Sequence, residues 1–391
     1  MTLVKIGDVC NFQGGTQPPK NEWKSEPVPG YVRMLQIRDF TQGKDKHIEF
    51  VKDGKKLNKC KADDILIGRY GASVGKILTG LEGAYNVAII KTVPDESKIH
   101  KRYLYYFLLN PRFKNFITNI GGRAAQQGFN KEDISDYRLF LPPLPDQLHI
   151  ADLLSKAENL IAQRKESIRL LNEYLKSTFF NFFDNPVTNR NSYKEVKLGD
   201  LTTFLTSGGR GWGKYYSKTG ERFIRSLDVQ MNNIFFEDAA FVIPPDNQEA
   251  NRTKVEPFDV LLTITGSKIG RVAMVPENFG TAYISQHVAL IRTNGINPLY
   301  LSYYLSDINC GQYLIKKSFY GQTKPGLNFK QIESFDILVP PIELQTQFAQ
   351  IVKKTEALKI QYQQSLQELE HLYGSLSQKA FRGELVAKET A

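Results

Sequence analysis

The chain is a repeat of itself. Val4-Lys5-Ile6-Gly7-Asp8-Val9, followed by Phe12, recurs 192 residues later as Val196-Lys197-Leu198-Gly199-Asp200-Leu201, followed by Phe204. At the same offset Val32-Arg33-Met34-Leu35 aligns with Ile224-Arg225-Ser226-Leu227. Asp64-Ile65-Leu66-Ile67 matches Asp259-Val260-Leu261-Leu262. Each leads to a glycine-rich stretch, Gly71-Ala72-Ser73-Val74-Gly75-Lys76 or Gly266-Ser267-Lys268-Ile269-Gly270-Arg271. Tyr103-Leu104-Tyr105-Tyr106-Phe107-Leu108 returns as Tyr300-Leu301-Ser302-Tyr303-Tyr304-Leu305, and Gly128-Phe129-Asn130 as Gly326-Leu327-Asn328. Both halves then reach a double proline, Leu141-Pro142-Pro143-Leu144 and Val339-Pro340-Pro341-Ile342. The unit is too long for a solenoid repeat, and 391 residues suffice for two cores. The chain is therefore a duplicated domain with a duplicated connector.

The local pattern is α+β. Residues 64–76 read as strand, glycine turn, strand, and residues 85–92 and 285–293 as apolar strands. Residues 100–120 and 298–318 read as helices whose aromatics, at helical spacing, form core. A long helix follows each double proline. Its apolar seam is Ile150, Ala157, Leu160, Ile161, Ile168, Leu171, Leu175 and Phe182 in the first copy. In the second it is Phe348, Ile351, Leu358, Tyr362, Leu369, Leu372 and Leu376. Two such seams at equivalent places predict an intramolecular antiparallel coiled coil. The domain division is then 1–143, a helical spacer at 144–186, a second domain at 187–339 and a second spacer at 340–391.

Bulk properties narrow the class. Hydrophobic content of 41% and charged content of 24% are ordinary for a soluble protein. No apolar run has the ~20 residues of a membrane span, and the N-terminus does not read as a secretory signal. Cys10, Cys60 and Cys310 lie far apart, which suits a reducing cytoplasm. Fifty-one Lys and Arg against 41 Asp and Glu leave +10, and nucleic acid is the natural partner of such an excess.

Enzyme motifs fail on inspection. A phosphate-binding P-loop needs four residues between its glycines and a Ser or Thr after the Lys. Here three residues separate Gly71 from Gly75, Ile77 follows Lys76, and the second copy carries Arg271. Asp184 with Glu195-Val196-Lys197 imitates a nuclease carboxylate pattern, but the first copy has Leu3 at the position of Glu195. His47, His100, His149, His287 and His371 lack zinc-site spacing, and no dinucleotide fingerprint occurs. No catalytic residue, metal or cofactor is expected on this chain.

What remains are recurrent polar loops. Gln13-Gly14-Gly15-Thr16-Gln17 has its counterpart in Thr206-Ser207-Gly208-Gly209-Arg210-Gly211-Trp212. Gly121-Gly122-Arg123-Ala124-Ala125-Gln126-Gln127 has one in Tyr320-Gly321-Gln322-Thr323-Lys324-Pro325. Gln pairs with adenine and Arg or Lys with guanine, and glycine lets backbone approach a groove. Plain solvated loops are the bland alternative. Matching loops with different side chains would read different bases. The candidate DNA contacts are Gly15, Thr16, Arg33, Lys76, Arg123, Gln126 and Gln127 in the first half. In the second they are Gly209, Arg210, Trp212, Arg225, Lys268, Arg271, Gln322 and Lys324.

With its duplicated Val-Lys-(Ile/Leu)-Gly-Asp start, its two Pro-Pro gates, Phe179-Phe180-Asn181-Phe182-Phe183-Asp184-Asn185-Pro186 and the ending Phe381-Arg382-Gly383-Glu384-Leu385, the chain resembles the specificity subunits of type I restriction-modification systems. The resemblance spans essentially the whole chain. It implies two target-recognition domains that read a bipartite double-stranded DNA target, with the helix pair fixing the gap. It also implies docking to two methyltransferase subunits, which bind S-adenosylmethionine, and to motor-nuclease subunits, which use ATP and magnesium. Two other classes compete. A fused methyltransferase needs a polar residue before the Pro-Pro, where Leu141 and Val339 stand. A free-standing DNA-binding regulator would use the helices for self-association.

Overall fold

The structure, a computed structural model, describes residues 2–121, 128–183, 193–320 and 325–385. Two compact units divide it: residues 1–166 with 364–391, and residues 167–363. Each is α+β, and the two are built alike.

In the first unit the strand Thr2–Lys5 pairs antiparallel with Arg138–Leu141. One four-stranded sheet runs Cys10–Gly14, Ile89–Pro94, Leu66–Gly68, Ile77–Leu78. A second runs Phe50–Lys52, Tyr31–Leu35, Gly83–Tyr85, Lys59–Cys60. The second unit repeats this with Lys194–Lys197 on Asp336–Val339. Its sheets run Thr202–Ser207, Val288–Thr293, Val260–Thr263, Val272–Met274 and Tyr216–Ser217, Phe241–Val242, Glu221–Ile224, Ala282–Ile284. The repeated glycine of the opening motif has a packing cause. A Cβ on Gly7 would lie 2.9 Å from the Ser135 Cβ, and one on Gly199 would lie 3.0 Å from the Glu333 Cβ. Only glycine lets the chain cross so close to the short helices Lys131–Ser135 and Phe329–Glu333.

Three expectations about the two repeated domains are corrected. The helices read over 100–120 and 298–318 are each two: Lys101–Leu109 and Pro111–Gly121, then Pro298–Ser306 and Gly311–Ser318. In the first copy Pro111 pushes Asn110 to an extended conformation, which ends the helix. The apolar runs read as strands over 85–92 and 285–293 each begin with a turn that passes from one sheet to the other. Finally, Arg33 does not occupy the place of Arg225. The Leu35 carbonyl accepts from the Asn86 amide as the Ile224 carbonyl accepts from Ser285, so Arg33 corresponds to Arg222 and Gln36 to Arg225. The earlier alignment slipped by three residues, an odd number that exchanges the faces of a strand.

The long helices are Leu144–Phe183 and Ile342–Arg382. In the first unit Ile150, Ala151 and Leu154 pack with Ala380 and Phe381, and Lys165 pairs with Glu370 at 2.8 Å. In the second unit Leu175, Phe179 and Phe183 pack with Phe348, Ala349 and Val352. The start of one helix thus lies beside the end of the other, antiparallel, within each unit. Of the expected seam residues, Leu160, Leu358 and Leu372 are exposed. The covered positions include, at three- and four-residue steps, Ile150, Leu154, Ala157 and Ile161 in one helix and Leu366, Leu369, Tyr373, Leu376 and Ala380 in the other, with Ala151, Ser377 and Phe381 buried beside them. Leu160 and Leu372 each sit one place before a position of that stripe. The motif phenylalanines close each unit: Phe381 meets Tyr103 and Phe107 at ring distances of 5.5 and 5.6 Å, and Phe183 meets Tyr300 at 4.6 Å. Each buried ring contributes on the order of 2–3 kcal/mol.

Candidate nucleic-acid interface

In each unit four chain segments meet at one rim of a sheet, the edge formed where its strands end, tied mainly by backbone hydrogen bonds. In the first, the Gly15 amide donates to Ile89 and Thr16 to Tyr85, both at 3.0 Å, and the Arg69 amide donates to Ala88 at 2.8 Å. Tyr70 forms a β-bridge with Gly128, and the Arg69 guanidinium donates to the Phe129 carbonyl at 2.7 Å. In the second unit Ile264 donates to His287 and Leu327 to Ile264, both at 2.9 Å, Thr265 bridges Gly326, and the first segment lies at Gly208 against the backbone of Ile284 and Ser285. The close approach of the first segment explains its glycine. A Cβ on Gly15 would stand 1.9 Å from the Asn86 carbonyl oxygen, and one on Gly208 would stand 2.2 Å from that of Ile284. Gly208, absent from the expected contacts, is therefore the equivalent of Gly15.

The glycine-rich stretch is a turn in both units. Gly68 donates to the Lys76 carbonyl and Gly75 to that of Gly68, as Thr263 does to Arg271 and Gly270 to Thr263. Gly71, Gly75, Gly266 and Gly270 have φ of +59°, +76°, +90° and +88°, which glycine alone adopts freely. Lys76 and Lys268 are exposed, Arg271 is half-buried, and none of their side chains has a hydrogen-bond or ion-pair partner among the described residues. Arg210 is likewise exposed and unpartnered there. These four cations have their charge available to a polyanion.

The other expected residues divide. Gly15, Thr16 and Gly209 lie in the four-segment edge, and the Thr16 hydroxyl is buried without a partner. Arg33 donates to Asp39 at 3.1 Å and to the Lys44 carbonyl. Arg225 makes a two-pronged pair with Asp228, 3.0 Å on each arm, and donates to the Asp238 carbonyl. Both guanidiniums are engaged in holding their own loops. Trp212 is only 4% exposed. It stacks on Phe223 at 5.2 Å and donates its indole N–H to Glu249 at 2.9 Å, so it forms the base beneath the glycine loop. Arg123, Gln126, Gln127, Gln322 and Lys324 lie outside the described residues.

The sequence reading missed the turn residues Asn86-Val87-Ala88 and Ser285-Gln286-His287. They complete the edge, and in the second unit Gln286 and His287 line a surface cleft with Ser207, Arg210 and Thr265. Their signal was hidden by the apolar strands on either side. The three thiols take no part: burial pushes Cys10 up to about 12, Cys60 to about 11, and Cys310 well above its ordinary value. Among the described residues no cluster of three or more His, Cys, Asp or Glu could hold a metal ion, and no helix is long and apolar enough to cross a membrane.

Comparison with known proteins places this architecture. The type I restriction modification DNA specificity domain matches twice, over residues 1–170 and 191–371. The chain is 22% identical to the type I restriction enzyme MjaVIII specificity subunit of Methanocaldococcus jannaschii, over 91% of this chain and 86% of that one. It is 23% identical to the EcoBI specificity subunit of Escherichia coli, over 98% and 86%. In fold it is similar to the crystal structure of the S subunit of a type I restriction-modification system from M. genitalium, with a TM-score of 0.60, 16% identity and coverage of 97% and 96%. A chain from a structural study of type I R-M complex assembly and conformational transition gives a TM-score of 0.55 at 19% identity, covering 98% of each. The duplicated fold and the double family match agree: the chain belongs to the family of type I restriction-modification DNA specificity subunits.

Proposed function

We propose that this chain reads a two-part DNA target, one half with each four-segment edge, and carries that reading to catalytic partners. The observation that carries the proposal is that one backbone arrangement is built twice with different side chains upon it. Lys76, Lys268, Arg271 and Arg210 supply sequence-independent contacts to phosphate, and the exposed turn and loop side chains supply base contacts. The recognition domains are residues 1–143 and 187–339, with 144–186 and 340–391 as spacers. Arg123, Gln126, Gln127, Gln322 and Lys324 belong to the proposed reading surface, and Arg33, Trp212 and Arg225 support it from behind. The partners are two methyltransferase subunits, which supply S-adenosylmethionine chemistry, and restriction subunits, which supply ATP- and magnesium-dependent cleavage, all in the cytoplasm. The chain alone transfers no methyl group and cuts no strand.

The test is to exchange residues 1–143 for the equivalent segment of a relative and map methylated bases in DNA modified by the assembled complex. One half of the target should change and the other persist. A change in both halves, or methyl transfer by the purified chain alone, would overturn the proposal.

A further inference from the structure

The turn Ser285-Gln286-His287 joins the strand Ala282–Ile284 of one sheet to Val288–Thr293 of the other, at the centre of the second reading edge. Gln286 and His287 are both exposed there. The His287 Nδ1 lies 2.6 Å from the Thr265 hydroxyl, and its Nε2 lies 3.2 Å from the Gln286 Nε2. The polarity of this chain is determined by its ends. With the Gln286 amide in this orientation its nitrogen donates to the His287 Nε2, which leaves the ring proton on Nδ1. That proton is donated to Thr265, whose hydroxyl accepts it. One amide hydrogen of Gln286 is thereby used. The planar group still offers its Oε1 acceptor and its second N–H donor.

One acceptor beside one donor on a planar amide is the complement of the adenine N6 and N7 edge in the major groove. Two further features point to a ligand at this cleft. Arg210, exposed and without a partner among the described residues, lines the same wall. The Ser285 hydroxyl, adjoining it, is buried and unpartnered. The first unit differs at the equivalent turn. There the Asn86 side chain accepts from the Ala88 amide at 3.2 Å, and Val87, 39% exposed, stands where Gln286 does. An apolar side chain at that place suits a thymine methyl rather than a hydrogen-bonding edge.

Resting on the two-part reading proposed above, we infer that Gln286 reads an adenine in the second half-site, with His287 and Thr265 as positioning residues that hold its amide the right way round. The first half-site is read at the corresponding place by Val87, through apolar contact.

The experiment assembles the full chain with its methyltransferase subunits and maps methylated sites for the native chain and for variants. Gln286→Ala should reduce the preference for one A·T pair in the second half-site by about tenfold or more and leave every other position intact. His287→Ala and Thr265→Val should weaken that position alone. Gln286→Arg should move the preference there from A·T to G·C, a gain that misfolding cannot produce. Unchanged base preference in both Gln286 variants, or loss of the whole second half-site in both, would overturn the inference while the two-part reading stands. Absence of any two-part motif for the native chain would instead overturn the underlying reading and this inference with it.

Discussion

The Gln147 side-chain carbonyl accepts from the His100 backbone amide at 2.7 Å, joining the start of the first long helix to the start of the helix Lys101–Leu109. Its amide group donates to the Lys98 and Pro142 carbonyls at 2.9 and 2.8 Å. Gln345 does the same in the second unit, accepting from Asn297 at 2.8 Å and donating to Pro340 at 2.7 Å. Both side chains are fully buried. Gln147→Leu fills the space and leaves one donor and two acceptors unsatisfied. It is expected to destabilise the protein by about 2–4 kcal/mol. Gln345→Leu should act similarly. A fall in the urea midpoint checks both, and an unchanged midpoint would refute the lock.

Gly15→Ala places a methyl within 1.9 Å of the Asn86 carbonyl oxygen. Backbone must move, because the obstacle is itself backbone. The variant complex should lose the first half of its target and keep the second, and Gly208→Ala should do the reverse. Methylation mapping distinguishes these outcomes, and a symmetric effect would contradict the assignment of one edge to each half.

Lys76, Lys268 and Arg271 are expected to act through charge alone. Replacing any one with Ala should weaken DNA binding by the assembled complex almost equally for all sequences. It should also reduce the slope of log K against log salt by about one. Titrations across a salt series test this. A change confined to one target base would show that the residue reads sequence instead.

Lys101 donates to Asp63 at 2.8 Å and to Asp64 at 2.9 Å. Its hydrogen bond holds the Asp63 carboxyl below its ordinary value. For Asp64, burial pushes upward, but the Lys61 amide and Lys101 outweigh it and the net direction is down. A carboxylate whose pKa falls on folding stabilises the protein above its unfolded pKa, near 4, and loses that contribution as pH drops through the folded value. Lys101→Met should therefore lower the urea midpoint at pH 7. The gap from the native chain should close as pH falls below about 4. A gap independent of pH would assign the effect to packing.

The duplication, both long helices and the glycine turns were legible because each depends on local pattern. The break at Asn110-Pro111 was missed although proline bars the helix before it, because the aromatic periodicity across it looked continuous. Other features were not local. The slip that matched Arg33 with Arg225 arose because each is an arginine after an apolar residue, and the register shows only in the pairing of the strands and the bonds to Asn86 and Ser285. The turn that carries Gln286 lies between two strands that are distinguishable only by the sheets they join. The burial of Trp212 depends on Phe223 and Tyr283, which come from distant segments. Leu160 and Leu372 satisfy helical spacing, but which stripe is covered is decided by the partner helix.

The bonds that bring the four segments of each edge together run mainly between main-chain atoms: Arg69 to Ala88, Ile264 to His287, Tyr70 to Gly128 and Thr265 to Gly326. Such bonds are blind to side-chain identity. Side chains on the exposed turns can therefore be exchanged with little cost to the sheets that carry them, and on the proposed reading new target sequences are within reach of single substitutions that leave folding stability almost untouched.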